Sequence, residues 1–171
     1  MASCVYTGST LQIHPDKQSP ETEWMDLHNI YTSYIAQINA GCGSGALKNY
    51  VNDGIIHNDS KSMSVDEYAQ IILDSQAAFP GLFFEVERLV TESDKGEAGE
   101  KGDGNIAARI KLSYTSSQVH SQQGDGATSS QSPKEFFYEH VFYRLEGGKI
   151  SQVWSLLDGA GQKWNEERTA R

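Results

Sequence analysis

Residues 139–158, EHVFYRLEGGKISQVWSLLD, contain the clearest fold signal in the chain. Two runs rich in β-branched and aromatic residues flank the pair Gly147-Gly148, an arrangement that is typical of a β-hairpin with a tight turn. In such a hairpin the side chains of His140, Trp154 and Asp158 would approach one another from paired strands. We therefore expect a curved antiparallel sheet that closes over a pocket with titratable groups in its floor.

Helical patterns precede this hairpin. Ser19-Pro20-Glu21 is a typical helix start, with serine as the N-cap, proline at the first helical position and an acid after it. Apolar residues follow at helical spacing over 24–38, and the glycine-rich run 41–45 ends this first helix. A short second helix is expected over residues 46–51.

The third helix has the clearest boundaries. Ser64 and Glu67 form a capping box at its start, and Pro80-Gly81 stops it after about Phe79. Beyond this point apolar and polar residues alternate, separated by polar loops. This alternation predicts four strands, over 82–92, 105–117, 135–146 and 149–157.

Helices followed by an antiparallel meander predict an α+β fold whose sheet curls around the helices to bury their apolar stripe. A chain of 171 residues is of the usual size for one domain. We expect an N-terminal arm over residues 1–18, a single domain over 19–165 and a C-terminal tail over 166–171.

The strand over residues 135–145 is apolar on both faces, whereas a strand with one face in water shows clean alternation. Phe136, Tyr138 and Phe142 share one face, and Phe137 and Val141 share the other. We infer that one face lines a core or pocket and that the other meets a second subunit, so a homodimer is expected.

The composition excludes several classes of partner. The net charge is -9, from 14 Lys and Arg against 23 Asp and Glu, and no basic stripe is present, so nucleic acid and anionic membranes are not expected partners. No apolar run approaches the roughly 20 residues that span a bilayer, and the N-terminus lacks the pattern of a secretory signal. Two cysteines without CxxC spacing indicate no disulfide framework and no zinc site. We expect a cytoplasmic protein without a metal site that binds a neutral or weakly polar small molecule.

Three patterns, in this order, carry a family resemblance: Ile56-His57-Asn58, the run FPGLFFEVERLV over 79–90, and GGKISQVW followed by Asp158. With them the chain resembles the SnoaL-like polyketide cyclases of the nuclear transport factor 2-like superfamily, roughly over residues 24–160. The resemblance implies a cone-shaped roll of three helices packed in a curved antiparallel or mixed sheet around a deep apolar pocket. Known members include aldol cyclases, ketosteroid isomerases, limonene-type epoxide hydrolases and fungal meroterpenoid isomerases, all without cofactors.

The resemblance, together with the titratable groups of the hairpin, implies a function. The expected protein is a cofactor-independent isomerase or cyclase that uses acid/base catalysis on a bulky apolar carbonyl or epoxide metabolite. A polyketide or terpenoid intermediate of secondary metabolism fits this description. Two alternatives remain open: a non-catalytic ligand-binding or scaffold member of the same fold, and an epoxide hydrolase.

Some positions depart from these relatives. Limonene-type epoxide hydrolases hold water with an Arg-x-Asp pair and with an aspartate two residues past the sheet tryptophan. The corresponding positions here carry Arg109, Lys111 and Leu156, so both acids are missing, which argues against that mechanism. The cyclases often carry an acid directly after the tryptophan, and that position here is Ser155. Arg109 and Lys111 share the face opposite the apolar residues of their strand, so we expect both to be solvated or interfacial.

Three residues are candidates for acid/base catalysis. His140 lies in an aromatic strand where its pKa could suit proton transfer at neutral pH, and a structural hydrogen-bonded histidine is the alternative. Asp158 could abstract a proton next to a carbonyl or orient a histidine, and the alternative is a capping role for the segment that follows it. His57 would border the pocket mouth, although His-Asn-Asp-Ser is also a good turn sequence.

Further residues are candidates for contacts with the substrate. Asn58 could donate a hydrogen bond to a developing enolate, as side-chain amides do in oxyanion holes. Aromatic stripes at helical spacing usually belong to the core, yet buried tyrosine hydroxyls need partners and one or two could point into a cavity. The aromatic candidates are Tyr34, Tyr50, Tyr68, Phe79, Tyr138 and Trp154.

Overall fold

A computed structural model describes residues 26–41, 43–94, 102–115 and 134–169 of the chain. Within these ranges helices and strands alternate along the first half, and a meander of strands and a last helix make up the second half. In chain order they are α1 (Leu27–Asn39), α2 (Ser44–Leu47), β1 (Val51–His57), α3 (Val65–Ala78), β2 (Phe83–Ser93), β3 (Gly104–Thr115), β4 (Lys134–Glu146), β5 (Lys149–Leu157) and α4 (Gly159–Thr169).

The strands form one five-stranded sheet in the order β1-β5-β4-β3-β2. Neighbours from β2 to β5 are antiparallel, and β1 adds to β5 in parallel. The α+β fold and the mixed sheet are thereby confirmed. The four predicted strands are present with boundaries within about two residues of the prediction, a scatter that is normal at element ends.

Strand β1 was not predicted, and the helix expected over 46–51 is wrong in its second half. Helix α2 ends at Leu47, and Val51 already belongs to the strand. The strand register shifts between Val51 and Ile56, and Gly54 has a φ of 92°. An Asn-Asp-Gly sequence inside a bulged strand has the composition of a turn, which hides the strand from its own sequence pattern.

The start of the first helix also differs from the prediction. Asp26 has extended backbone angles and its side chain accepts a hydrogen bond from the amide of His28, so Asp26 is the N-cap and α1 begins at Leu27. The helix therefore does not run on from the proposed start at Ser19, and Ser19 and Trp24 lie outside the described residues. In α3 the capping box of Ser64 and Glu67 is confirmed.

The core lies between the helices and the concave face of the sheet. Helix α1 buries one side, including Tyr31 and Tyr34, which are almost fully inaccessible. The ring centroids of Tyr31 and Tyr34 lie 5.2 Å and 6.1 Å from the ring centroid of Tyr143 on β4. None of the helices in the described ranges is long and apolar enough to span a bilayer.

Asn39 ties the end of α1 to the first residues of strand β2. Its Nδ2 donates to the carbonyl oxygen of Phe84 at 2.8 Å, and its Oδ1 accepts from the amide of Phe84 at 2.9 Å. The side-chain amide of Asn39 thus forms the two backbone hydrogen bonds that a neighbouring strand would otherwise form with Phe84. Because Phe84 also lines the central cavity described below, this bridge positions one of the cavity walls.

Replacing Asn39 by Ala removes both hydrogen bonds and leaves a partly buried amide and carbonyl of Phe84 without them. We expect the free energy of unfolding to fall by about 1–3 kcal/mol, measured by urea denaturation. Asn29→Ala, at an exposed position of the same helix, is the matched control and should change stability by less than about 0.5 kcal/mol. Equal effects of the two substitutions would contradict the bridge.

Candidate active site

The concave side of the sheet and the helices enclose a cavity of about 460 Å³. This volume is in the range of pockets that bind small molecules, roughly 300–1,000 Å³. Helices α1 and α3 form one wall, strands β3, β4 and β5 form the other, and Gln162 and Glu166 of α4 border it. Most of the lining is apolar and includes Ile35, Ile38, Ile72, Phe79, Ile110 and Leu112.

Several polar side chains also line the cavity, and six of them lie in one group, which we call the polar cluster: Tyr34, His57, Asn58, Tyr68, Glu139 and Ser155. The hydroxyls of Tyr34 and Tyr68 are 2.8 Å apart and share a hydrogen bond. The ring of Tyr68 in turn lies 6.0 Å, between centroids, from the imidazole of His57. Neighbouring contacts therefore connect helix α1 to the end of strand β1.

The second half of the polar cluster is joined by hydrogen bonds across strands. The amide of Ser155 donates to Oδ1 of Asn58 at 2.7 Å, and the hydroxyl of Ser155 donates to Oε1 of Glu139. Asn58 itself has a φ of 48°, a left-handed conformation that asparagine tolerates better than most residues. The strained turn thus places Asn58 beside β5 and beside His57.

His57 is half-buried at the end of β1. Partial burial lowers the pKa of its imidazole below the ordinary value of 6.5. The ring is therefore neutral at pH 7, and a neutral imidazole has a nitrogen that can accept a proton. His57 lines the cavity, and its catalytic role remains a prediction.

Glu139 is the residue that the sequence analysis missed. It lies on the same face of β4 as Phe137, Val141 and Tyr143, and all four residues line the cavity. Burial raises the pKa of its carboxyl above the ordinary value of 4.5, and the hydrogen bond from Ser155 acts in the opposite direction. An acid in the middle of an aromatic strand was the available signal. The adjacent histidine was the preferred candidate, because an imidazole ordinarily titrates near neutrality.

The expected convergence of His140 and Asp158 on one cavity is wrong. Side chains alternate along a strand, so His140 faces the opposite way from Glu139. It is exposed on the convex side of the sheet, where it pairs with Arg109 of β3 and Leu156 of β5. His140 therefore does not line the cavity, and we do not place it in the candidate site.

Asp158 has a structural position instead. Its Oδ1 accepts from the amide of Gly161 at 2.9 Å, which is the bond of an N-cap at the start of α4. Its Oδ2 accepts from the amide of Tyr138 at 3.0 Å, and the Asp158 amide donates to the Tyr138 carbonyl at 2.8 Å. Both carboxylate oxygens are thus engaged by backbone, and Asp158 joins α4 to β4 outside the cavity lining.

The aromatic candidates divide between the two sides of the sheet. Tyr34, Tyr68 and Phe79 line the cavity as expected. Tyr50 packs against the ring of Tyr34 at 6.3 Å but does not line the cavity. The remaining two, Tyr138 and Trp154, are not part of the lining either, so the structure does not place them at this cavity.

The rings of Tyr138 and Trp154 lie on the convex side of the sheet. The guanidinium of Arg109 sits 3.6 Å from the ring centroid of Tyr138, and Arg109 also pairs with Glu87. The indole Nε1 of Trp154 donates to Oδ1 of Asp59 at 2.8 Å. The expectation that Arg109 lies on the solvated or interfacial face is confirmed, since Ala108 and Ile110 on the other face are buried.

Replacing Asp158 by Ala should lower the free energy of unfolding by about 0.5–2 kcal/mol, the usual cost of losing an N-cap. Thermal denaturation measures the change, and Asp158→Asn, which keeps an oxygen acceptor for Gly161, should retain part of the stability. Asp74→Ala, at an exposed site of α3, is the control. A stability equal to that of the unmodified protein would contradict the capping role.

The sequence profile of the SnoaL-like polyketide cyclases matches residues 28–164. The chain belongs to the SnoaL-like polyketide cyclase family. Its fold class and the cavity on the concave side of the sheet agree with this membership. No protein with a curated function matches the chain in sequence.

Solved structures show the same SnoaL-like fold. A SnoaL-like polyketide cyclase from Agrobacterium tumefaciens is 27% identical, with a TM-score of 0.58 over 81% of this chain and 96% of that chain. AclR, a candidate hydroxylase from Streptomyces galilaeus, is 21% identical, with a TM-score of 0.53 over 79% of this chain and 90% of its own. IdmH, a candidate polyketide cyclase from Streptomyces antibioticus, is 16% identical, with a TM-score of 0.54 over 79% and 94%. The likeness to AclR and IdmH is one of fold.

Proposed function

We propose that this SnoaL-like protein is a cofactor-independent isomerase or cyclase that moves a proton on a bulky, mostly apolar carbonyl compound. The observation that carries the proposal is the cavity of about 460 Å³, whose mostly apolar walls include a polar cluster with a half-buried imidazole. A polyketide or terpenoid intermediate fits such a cavity, because its rings match the apolar walls and its oxygens match the polar cluster. Membership of a cyclase family supports this reaction class.

In the proposed reaction His57 is the general base. A neutral imidazole takes a proton from the carbon next to a carbonyl group, and negative charge develops on the carbonyl oxygen. Asn58 can stabilise that oxygen: its Oδ1 already accepts from Ser155, so the group it offers to a ligand is the Nδ2 donor. The open cavity favours this reading over a scaffold that uses only the outside of the sheet.

His57→Gln is expected to slow proton abstraction by about 100- to 10,000-fold, because the amide cannot act as a base. The probe is 2-tetralone, a neutral bicyclic ketone with acidic benzylic hydrogens, and the readout is hydrogen–deuterium exchange at that carbon in D2O by NMR. Ligand affinity should change little. His140→Gln, on the convex face, is the matched control; loss of exchange in that variant with retention in His57→Gln would refute the assignment.

We also propose that the protein is a homodimer joined through the convex face of the sheet. One row of side chains crosses four strands there: Val90, Ala107, Phe142 and Trp154 are opposite one another in register. Phe136, Phe142 and Val90 are 53%, 59% and 67% exposed in the single chain. A row of exposed apolar side chains across one face of a sheet is typical of a protein–protein interface.

Phe142→Lys should convert the dimer to a monomer, since it places a charge in the middle of the apolar row. Sedimentation equilibrium measures the mass of the particle. Leu73→Lys, which changes an exposed apolar residue on α3, should remain dimeric. If the unmodified protein sediments as a monomer, this interface is wrong.

A further inference from the structure

Glu139 is a carboxyl group built into an otherwise apolar wall. Its strand neighbours on the same face, Phe137, Val141 and Tyr143, are buried, and Glu139 itself reaches the surface only partly. Burial of a carboxylate costs free energy unless a cation or several hydrogen bonds compensate it. Among the described residues that line the cavity, none is Lys or Arg. The wall therefore favours the neutral, protonated form of this side chain.

Ser155 determines which oxygen of Glu139 can carry that proton. The hydroxyl of Ser155 donates to Oε1, so Oε1 serves as an acceptor and the proton belongs on Oε2. The backbone of Ser155 is itself held, because its amide donates to the Asn58 side chain at 2.7 Å. This places a carboxyl with one anchored oxygen in the same polar cluster as His57.

We propose that Glu139 is the general acid of this site and that Ser155 is its positioning residue. The assignment rests on the proposed function and adds the second proton carrier that it lacks. In the forward step the C–H bond next to the carbonyl breaks and its proton passes to His57. The electron pair forms the C=C bond of an enol, whose oxygen takes the proton from Oε2 of Glu139. Return of one proton from His57 to a carbon and of the other from the enol to Glu139 completes an isomerisation with no net change in the enzyme.

The assignment has a definite pH signature. Catalysis needs neutral His57, so the rate falls as pH decreases through the lowered pKa of His57. It also needs protonated Glu139, so the rate falls as pH increases through the raised pKa of that carboxyl. A bell-shaped profile results, and its alkaline limb belongs to Glu139.

Other titratable groups face Glu139 from the surrounding elements. They are Tyr31 and Tyr34 on α1, His57 on β1, Tyr68 on α3, Tyr143 on its own strand and Glu166 on α4. Burial raises the pKa of Tyr31 and Tyr143, so both keep their protons in the range of the profile. Glu166 is the other carboxyl at the cavity, which makes Glu166→Gln the matched control.

The experiment follows exchange of 2-tetralone hydrogens in D2O as a function of pH. Glu139→Gln should reduce the rate by about 100- to 10,000-fold and abolish the alkaline limb, since the amide keeps the shape but transfers no proton. Glu139→Asp should keep the limb at a reduced rate. The hydrogen bond from Ser155 lowers the pKa of the Glu139 carboxyl, so its loss in Ser155→Ala should raise that pKa and move the limb to higher pH. Glu166→Gln should leave the limb in place.

A second measurement needs no substrate. A carboxyl whose folded pKa is raised contributes stability that is full below its unfolded pKa and is lost as pH rises through the folded pKa. Thermal denaturation of the unmodified protein should therefore show this loss, and Glu139→Gln should not, so that the variant gains relative stability as pH increases. Glu92→Gln, at an exposed site on β2, should follow the unmodified protein.

The outcomes separate the two proposals. If Glu139→Gln exchanges 2-tetralone at the original rate with an unchanged alkaline limb while His57→Gln is slow, the role of Glu139 is overturned and the proposed function stands. If the unmodified protein does not accelerate exchange, the proposed function fails and the assignment of Glu139 fails with it. Loss of the limb in Glu139→Gln together with its displacement in Ser155→Ala supports both.

Discussion

The alternation of side chains along strand β4 is the constraint on which the rest of this structure depends. Odd-numbered residues from Phe137 to Leu145 face the helices, and even-numbered ones face away. The antiparallel neighbours on both sides hold this register, and a slip of one residue would exchange the two faces completely. Such a slip would place His140 in the cavity and Glu139 outside. One register thus determines which titratable group lines the cavity.

The cavity is built from groups that a fully packed core would not contain. Tyr34 and Tyr68 satisfy each other's hydroxyls across two helices, and Ser155 bonds to Glu139 across two strands. Both pairs lie in the lining of the cavity, so they place polar groups on a surface that is otherwise mostly apolar. The carboxyl on β4 stands one strand away from Ser155, the position where the resemblance to the cyclases leads one to expect an acid.

Two polar side chains, those of Asn39 and Asp158, form hydrogen bonds with backbone groups of the elements that build the cavity walls. Asn39 pairs with both backbone groups of Phe84 at one wall, and Asp158 joins the start of α4 to β4 at the other. Neither residue touches the inside. Both act on the site through the positions of the elements that line it, which explains how an aspartate at a conspicuous position can be structural.

Local signals in the sequence were sufficient for most elements of this fold. The capping box at Ser64, the apolar stripe of α1 and the Gly147-Gly148 hairpin each depend on residues a few positions apart, so the sequence alone determined α3, most of α1, the meander and the α+β class. Helix α4 was not predicted, and the bounds of α2 were wrong. Strand β1 was not predicted because its bulged backbone is stabilised by β5, about 100 residues further along the chain. The place of Glu139 in the candidate site was missed for a related reason. Both faces of β4 are apolar, so no pattern within the strand could tell the concave face from the convex one; packing of the helices against one face settled that Glu139, and not His140, lies inside.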